Sequence, residues 1–438
     1  MPSPAVGAPH PAPEPSAVAA SKCRRRTIPT GAARPSDMLA AFFSAGLAML
    51  ALGGACAIAD AAGGDWRLHW LALHLALLGG VSQLVLGAAQ FFVCAFLATT
   101  PPSRRMVAAQ IAVWNTGTVL VAIGVTATSP RLAEAGGAVL ALGLGLYIAQ
   151  MGTMQRRSLQ SARWAVRWYE ASAACLVAGI LVGVLLAGGV TWTHGSLLGA
   201  HLALNIAGWM GTAIVGTLHT FFPSLTGTQL RFPRLQGPTF AAWLAGVALL
   251  ALGAAFGSDP VVAAGWLGAL AAAALLVANV AGSLRARTIE LSLPARLVAL
   301  AQAFLLAGLA LGLAATLADG ASGPLSPDLR PALSILLLGG WVGLTVGGSL
   351  LHLLAVLGRV RHFTRGLPAP HPARDRAVTL LAGLAVASWA AAQAPGMTFA
   401  SGPATALRVA AVVVIAGRIA WLAVRAMRPA PAGRAGAA

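Results

Sequence analysis

The stretch "HLALNIAGWMGTAIVGTLHTFFP", which runs from His201 to Pro223, decides the class of protein to which this chain belongs. It is long and apolar enough to cross a bilayer. It nevertheless carries a histidine near each end and Asn205 between them. Ionisable groups inside a membrane are costly and are functional candidates, although a histidine near a helix end often only bonds to a neighbouring helix. The stretch therefore predicts a membrane-spanning helix that holds either a binding site or internal polar contacts.

The rest of the chain has the same apolar character. Of its 438 residues, 58% are hydrophobic and 9% are charged, and the mean hydropathy is +0.79. Such values are typical of a polytopic membrane protein. Apolar windows predict an all-α protein with twelve transmembrane helices, at residues 38–59, 68–98, 106–127, 136–153, 169–191, 196–222, 237–257, 260–283, 295–318, 331–357, 375–394 and 403–425.

The distribution of charge predicts the orientation of these helices. The net charge of +18 would suggest nucleic acid in a soluble chain, but here most of the arginines fall in alternate short loops. By the positive-inside rule both termini are cytoplasmic, which agrees with an even number of helices. We therefore expect a multi-pass protein of the inner (plasma) membrane, with the lipid bilayer and no nucleic acid as partner. Residues 1–36 read as a disordered basic tail rich in Pro and Ala, 37–425 as the membrane domain and 426–438 as a short cytoplasmic tail.

A weak repeat recurs every four helices. The second helix reads "HLALLGGVSQLVLGAAQFF" from His74, and the tenth reads "SILLLGGWVGLTVGGSLLHLL" from Ser334. Each of these helices and the sixth has a glycine-rich middle and ends on the inner side with a polar residue. The sixth and tenth align without a gap, since His219 follows His201 and His352 follows Ser334 by the same number of residues. The repeat predicts three four-helix units.

Histidines on these helices are the candidate ligands of a metal or a haem. His201 and His219 share one face of the sixth helix but lie roughly 27 Å apart along its axis, so each needs a partner from another helix. His352 lies at a depth similar to that of His219, and the pair would clamp a planar cofactor if the two helices face each other. The outer half offers His69, His74, His194 and His201, of which His69 and His194 are nearer the surface, and on the second helix His69 and His74 compete for the inward position. At 100° per residue, His69 lies nearer the face of Gln83 and a local bulge would be needed to bring His74 there.

Missing motifs exclude several function classes. No Asp or Glu lies in the middle of a predicted helix, as proton-coupled transporters need. No Walker, dinucleotide-binding or HExxH motif is present. The four cysteines, Cys23, Cys56, Cys94 and Cys175, form no CxxC pair and indicate neither a zinc site nor a disulfide framework.

The second, third and sixth helices carry a resemblance to a known family. The second helix followed by "AQIAVWNTGTVLVAIG", together with "HLALNIAGWMGTAIVGTLHTFFPSLTGTQLR", resembles distant, non-oxidase members of the haem–copper oxidase subunit I-like superfamily. The sixth helix resembles most closely the membrane portion of actinobacterial copper nitrite reductase-like multicopper oxidases. NnrS-type haem proteins share the general style. The resemblance covers about residues 38–425.

The resemblance implies haem ligands but departs from the oxidases in its details. It places His74 at the haem-ligand position of the second helix and His201 near the metal position of the sixth. The tenth helix has Ser334 and leucines where outer ligands would be needed. The seventh helix, "GPTFAAWLAGVALLALGAAFG", has no copper ligand, and neither Tyr147 nor Tyr169 takes the place of a redox-active phenol. An oxygen-reducing copper site is therefore not expected.

These observations leave two hypotheses for the function. In the first, the protein lacks the oxygen-reducing site and binds a b-type haem through His74, His201, His219 or His352, in respiratory, nitrogen-oxide or copper redox metabolism. Its partner would then be quinol or a periplasm-side copper protein. In the second, the chain is a cofactor-free membrane scaffold or a small-molecule transporter that retains the fold. Whether it is an enzyme stays open.

Overall fold

The structure, a computed structural model, describes residues 33–158, 163–362, 368–369, 371–393 and 401–428. These residues form an all-α protein, and no strand occurs among them. Twelve long helices make up the described part, and they are numbered here in chain order. Their bounds are α1 Pro35–Ala61, α2 Trp66–Phe96, α3 Arg104–Thr126, α4 Pro130–Arg156, α5 Arg163–Ala187, α6 Leu197–Thr226, α7 Gln236–Phe256, α8 Asp259–Ala286, α9 Leu293–Asp319, α10 Arg330–Arg361, α11 Pro372–Ala391 and α12 Ser401–Met427.

Eleven of the twelve helices are long and apolar enough to cross a membrane. The remaining one, α11, has 20 residues and begins with the charged run Arg374, Asp375 and Arg376. The predicted integral membrane protein with many transmembrane helices is thus confirmed. The grouping into three four-helix units and the cytoplasmic placement of both termini stay predictions. We call the half of the bundle that holds the first residues of α2, α6 and α10 the outer half, and the other the inner half.

Local signals set the ends of the helices. Ser103 caps α3 by accepting a hydrogen bond from the backbone N–H of Met106, as N-cap residues do. Pro35 and Pro130 stand in the first turns of α1 and α4, where the missing N–H has no cost. At the other end, Gly227 closes α6 with a left-handed φ of 65° that favours glycine.

The helix prediction was wrong at two places. The fourth helix, predicted over 136–153, has 27 residues as α4, because a helix continues through the polar first turn around Arg131. The fifth, predicted over 169–191, is α5 and ends at Ala187. Of the basic tail predicted over 1–36, residues 1–32 lie outside the described part of the chain, and α1 begins at Pro35. Of the tail predicted over 426–438, the first two residues belong to α12 and those after 428 lie outside the described part.

The same three helices that carry the sequence repeat also contain a π-helical segment. These segments are Leu75–Val81 in α2, Ala203–Gly211 in α6 and Ile335–Gly343 in α10. A π-turn bonds i to i+5 instead of i to i+4, and such turns are frequent at functional sites. Indole N–H groups of the following helices satisfy carbonyls there. Trp114 donates to Leu78 O at 3.0 Å, and Trp243 donates to Ala207 O at 3.2 Å.

Glycines let each of these three helices pack closely on the helix before it. A Cβ added at Gly87 of α2 would lie 2.4 Å from Phe42 Cβ of α1. One at Gly216 of α6 would lie 2.3 Å from Trp168 Cγ of α5, and one at Gly348 of α10 would lie 2.9 Å from the α9 residue Val298. Small residues allow such close approach between membrane helices. The glycine-rich parts of these three helices are therefore helix-packing surfaces.

Candidate functional site

His74 stands at the last α-helical position of α2 before its π-segment. Its Nδ1 lies 3.0 Å from the carbonyl oxygen of Trp70, and its ring stacks on the Trp70 indole at a centroid distance of 3.7 Å. A carbonyl oxygen only accepts hydrogen bonds, so Nδ1 carries the proton and donates. In the neutral imidazole the other nitrogen, Nε2, then keeps a lone pair. The stack and the hydrogen bond together fix the ring on its helix.

The His69 side chain, which competed with His74 in the sequence, lies at the surface. Its side chain is 67% exposed, and its Nδ1 lies 3.0 Å from Asp60 Oδ2. The π-segment explains why His74 turns inward instead. Each i→i+5 turn inserts one residue relative to an α-turn, which rotates the residues before it by about 100° with respect to those after it. This is the bulge that the helical periodicity required.

His201 lies in a groove on α5 that two glycines create. Its Nδ1 is 3.1 Å from Gly179 O, and a Cβ added at Gly183 would come within 2.9 Å of His201 Cε1. Asn205, one turn further along α6, donates from Nδ2 to His201 O at 2.7 Å. The amide nitrogen of Asn205 also lies 3.3 Å from His201 Nδ1. In the tautomer in which Nδ1 donates to the Gly179 carbonyl, which can only accept, Nε2 keeps a lone pair. Gly179 and Gly183 are spaced one helical turn apart, a sequence signal that the search for ligands missed.

His74 and His201 come from two helices that meet one another. Trp209 of α6 donates from Nε1 to Ser82 Oγ of α2 at 2.9 Å, eight residues after His201 and His74 respectively. Neither Nε2 has a hydrogen-bond partner among the described residues, and neither of these two nitrogens is fully buried. Anchoring of one ring nitrogen by a carbonyl or carboxylate is the usual arrangement of a metal-ligating histidine, because it fixes the tautomer and orients the other nitrogen.

His219 has the same anchoring but no open nitrogen. It is fully buried, with Nδ1 at 2.8 Å from Val215 O and the ring stacked near Trp168 of α5 at a centroid distance of 5.7 Å. Its Nε2 is buried and has no hydrogen-bond partner among the described residues. Trp168 lies against the flat face of the ring, whereas a metal would bind at Nε2 in the ring plane, which the surrounding helices bury.

His352 does not meet His219. Its ring lies edge-on to Phe221, with centroids 5.6 Å apart. Phe221 stands two residues after His219, on nearly the opposite side of α6, because two helical steps rotate a side chain by about 200°. His352 thus lies against a different side of α6 from the one that carries His219, and a cofactor clamped between the two histidines stays a prediction.

The π-segments explain why the gap-free alignment of the two helices misled. Ala203 and Gly211 bound the segment in α6, and Ile335 and Gly343, each 132 positions later, bound it in α10. The histidines His219 and His352 are 133 positions apart. His352 is therefore one residue past the structural equivalent of His219 and points about 100° away.

The remaining sequence candidates do not extend the site. His194 is exposed beside Trp192, at a centroid distance of 5.2 Å. Within the described ranges, no three His, Cys, Asp or Glu side chains come close enough together to hold a metal ion. A site built on His74 and His201 therefore has two protein ligands rather than three.

Buried amide pairs between α2 and α3 are a feature that the sequence did not reveal. Gln83 and Asn115 exchange two hydrogen bonds, at 3.1 and 3.2 Å. Gln90 and Gln110 share only one, at 3.0 Å, which leaves Gln90 Oε1 and Gln110 Nε2 buried without a partner. The shared face of Gln83 and Gln90 was visible in the sequence, but the partners on α3 follow only from the packing.

Comparison with known proteins adds no family to this picture: no family model matches the chain, and a search of curated proteins finds no match.

Proposed function

We propose that this integral membrane protein holds a b-type haem near the outer ends of α2 and α6, with His74 and His201 as the iron ligands. One observation carries the proposal. Two imidazoles stand at matching positions on helices that contact each other through Trp209 and Ser82; each has Nδ1 within hydrogen-bond distance of a backbone carbonyl, and neither Nε2 has a partner among the described residues. Haem iron in b-type proteins takes neutral imidazole nitrogen as its axial ligand. Such a haem, when bound, supplies one-electron transfer.

The chain's own residues would prepare the two ligands. The Trp70 carbonyl and indole hold His74, and the Gly179 carbonyl holds His201. Asn205 bonds to the His201 carbonyl and supports that turn of α6. Outer contacts of this kind commonly change metal affinity by about 10–100-fold when they are removed.

The proposed role is electron transfer in respiratory, nitrogen-oxide or copper-linked metabolism. The positive-inside rule predicts that the outer half faces the periplasm, where a copper protein would approach. A quinol in the bilayer is the other candidate partner. The resemblance to non-oxidase members of the haem–copper oxidase subunit I-like superfamily supports this role. No oxygen-reducing copper centre is part of the proposal.

The haem proposal is tested by the visible spectrum of the purified protein. After expression with added haem, we expect a b-type pyridine haemochrome spectrum with stoichiometric haem. His74→Ala and His201→Ala should each lose most of it. His69→Ala is the matched control, since that histidine is exposed and bound to Asp60; it should keep its haem.

A flat visible spectrum of the wild-type protein would contradict haem binding. The second candidate function, a cofactor-free scaffold or small-molecule transporter, would then stand. The close packing of the inner half favours it, because Gly216 lies against Trp168 with no room for a Cβ. A thermal shift induced by a substrate would distinguish the transporter from the scaffold.

A further inference from the structure

A pocket of about 500 Å³ lies at the inner end of α8, on the opposite side of the bilayer from the two outer histidines. It is formed by the last turn of α8 and the loop that leads to α9. The residues that line it are Leu284, Arg285, Arg287, Thr288, Ile289 and Glu290. Two guanidinium groups and a hydroxyl in one concavity are donors that match the oxygen atoms of a phosphate group.

Among the residues that the structure describes, no carboxylate pairs with the arginines of this pocket. Arg285 and Arg287 are exposed, and neither makes an ion pair within the described ranges of the chain. The one lining carboxylate, Glu290, lies 3.8 Å from Arg296 Nη2. Its charge is therefore already partnered by a residue outside the pocket, and the pocket presents excess positive charge.

Neighbouring contacts hold the pocket in shape. Asn279 of α8 accepts a hydrogen bond from Phe232 N at 2.8 Å, which ties the α6–α7 loop to α8. Arg296 donates from Nε to Leu291 O at 3.0 Å and fixes the end of the lining loop. Arg287 Nη1 bonds to Leu284 O, the last turn of α8. Arg287 and the end of the lining loop are thus held in place before a ligand arrives.

The position of the pocket selects the source of the phosphate. The helix α8, which is long and apolar enough to cross a membrane, ends at Ala286, so Arg285 and Arg287 stand at the end of an apolar span. Leu284 is half-buried and Ile289 is 52% exposed, so apolar surface adjoins the two cations. A phospholipid has this combination, an anionic phosphate next to acyl chains, and basic pockets at this level bind such head groups.

We propose that this pocket binds the phosphate of an anionic phospholipid. The test is native mass spectrometry of the full-length, delipidated protein, titrated with phosphatidylglycerol and with phosphatidylcholine of the same chain length. We expect phosphatidylglycerol to bind more tightly. In the variant Arg285→Gln/Arg287→Gln its affinity should fall about thirtyfold, at about one kcal/mol per arginine.

The matched control removes the same charge from another helix end. Arg156 and Arg157 at the end of α4 are exposed and do not line this pocket. Arg156→Gln/Arg157→Gln should bind phosphatidylglycerol as the wild type does. Equal binding of the two lipids by the wild type, or an equal loss in both double variants, would overturn the proposal. Displacement of the lipid by inorganic phosphate at the same concentration would assign the pocket to a soluble phosphate and would also overturn it.

Discussion

The outer and inner halves of α2, α6 and α10 use the same residue types for different ends. In the outer half, backbone carbonyls hold His74 and His201 at Nδ1. Among the described residues, their Nε2 atoms have no hydrogen-bond partner and are not fully buried. In the inner half, His219 is equally well held, but its Nε2 is buried, and His352 lies against another side of α6. A histidine on a membrane helix is therefore a candidate ligand only where the surroundings of its free nitrogen leave that nitrogen accessible. Residue type and depth alone do not decide it.

The largest expected effect concerns the stability of the inner half. Gly216→Ala places a methyl group 2.3 Å from Trp168 Cγ, close to the α5 backbone, where little can move. Overpacking of this kind costs about 1–3 kcal/mol. We expect a lower Tm in thermal unfolding, with the haem content of the folded fraction unchanged. Gly145→Ala is the control, because a Cβ there meets nothing within 4 Å. An unchanged Tm for Gly216→Ala would show that the inner half is not closely packed.

The second prediction concerns the glycine groove that holds His201. Gly183→Ala places a Cβ 2.9 Å from His201 Cε1, the far end of a side chain that can swing away. We therefore expect Tm to change little while haem affinity, measured by titration of the apoprotein, falls by roughly tenfold or more. Together, the two glycine variants separate packing in the inner half from ligand placement in the outer half. Unaltered haem affinity in Gly183→Ala would contradict the role of the groove.

A smaller effect is expected for the amide pairs on α2. Gln83→Leu removes two hydrogen bonds to Asn115, whereas Gln90→Leu removes one bond to Gln110 together with an unpaired buried oxygen. Each hydrogen bond between membrane helices contributes about 0.6 kcal/mol. Gln83→Leu should therefore lower the free energy of unfolding by about 1 kcal/mol more than Gln90→Leu, as denaturant titration would measure. Equal losses would mean that the two pairs are equivalent.

The smallest effect is expected at the outer end of α2, where Asp65 caps the helix. Its side chain accepts from Arg67 N and pairs with Arg67 Nη1 at 2.9 Å. The hydrogen bond from the Arg67 side chain lowers the pKa of this exposed carboxyl. A lowered folded-state pKa gives stability that is present above the unfolded pKa of about 3.9 and is lost as the pH falls through the folded value.

Hydrogen exchange at the start of α2 measures that effect. In the wild type, protection of the first turn should decrease below about pH 3.9 after correction for intrinsic rates. Asp65→Asn keeps a good capping residue without the titrating charge. Its protection should not depend on pH in this range. The same acid-induced loss in Asp65→Asn would exclude the carboxylate as its cause.

Much of the fold follows from the sequence because a bilayer imposes length and apolarity on every span. The repeat through the second, sixth and tenth helices also had physical content, since these three contain the π-segments. The orientation of individual side chains did not follow. The choice between His69 and His74 depends on an inserted π-turn, and the gap-free alignment of His219 with His352 missed a shift of one residue.

The surroundings of the site were also beyond the sequence. Gly179 and Gly183 form the groove for His201 only because α5 packs against α6 at that depth. Likewise, Trp168 of α5 stacks near the His219 ring of α6, and no local sequence pattern predicts this contact between helices. Periodicity predicts which residues share a face, whereas the neighbour that meets this face is a property of the folded bundle.

The haem affinity of two double variants shows whether the haem site lies at His74 and His201 or at the inner histidines. Haem titrated into apoprotein His219→Ala/His352→Ala should bind as tightly as to the wild type, with the same spectrum. His74→Ala/His201→Ala, which loses the same number of imidazoles from the outer half, should not bind haem measurably while it stays folded by circular dichroism. Loss of haem from the inner double variant with retention in the outer one would contradict the assignment of the site to α2 and α6.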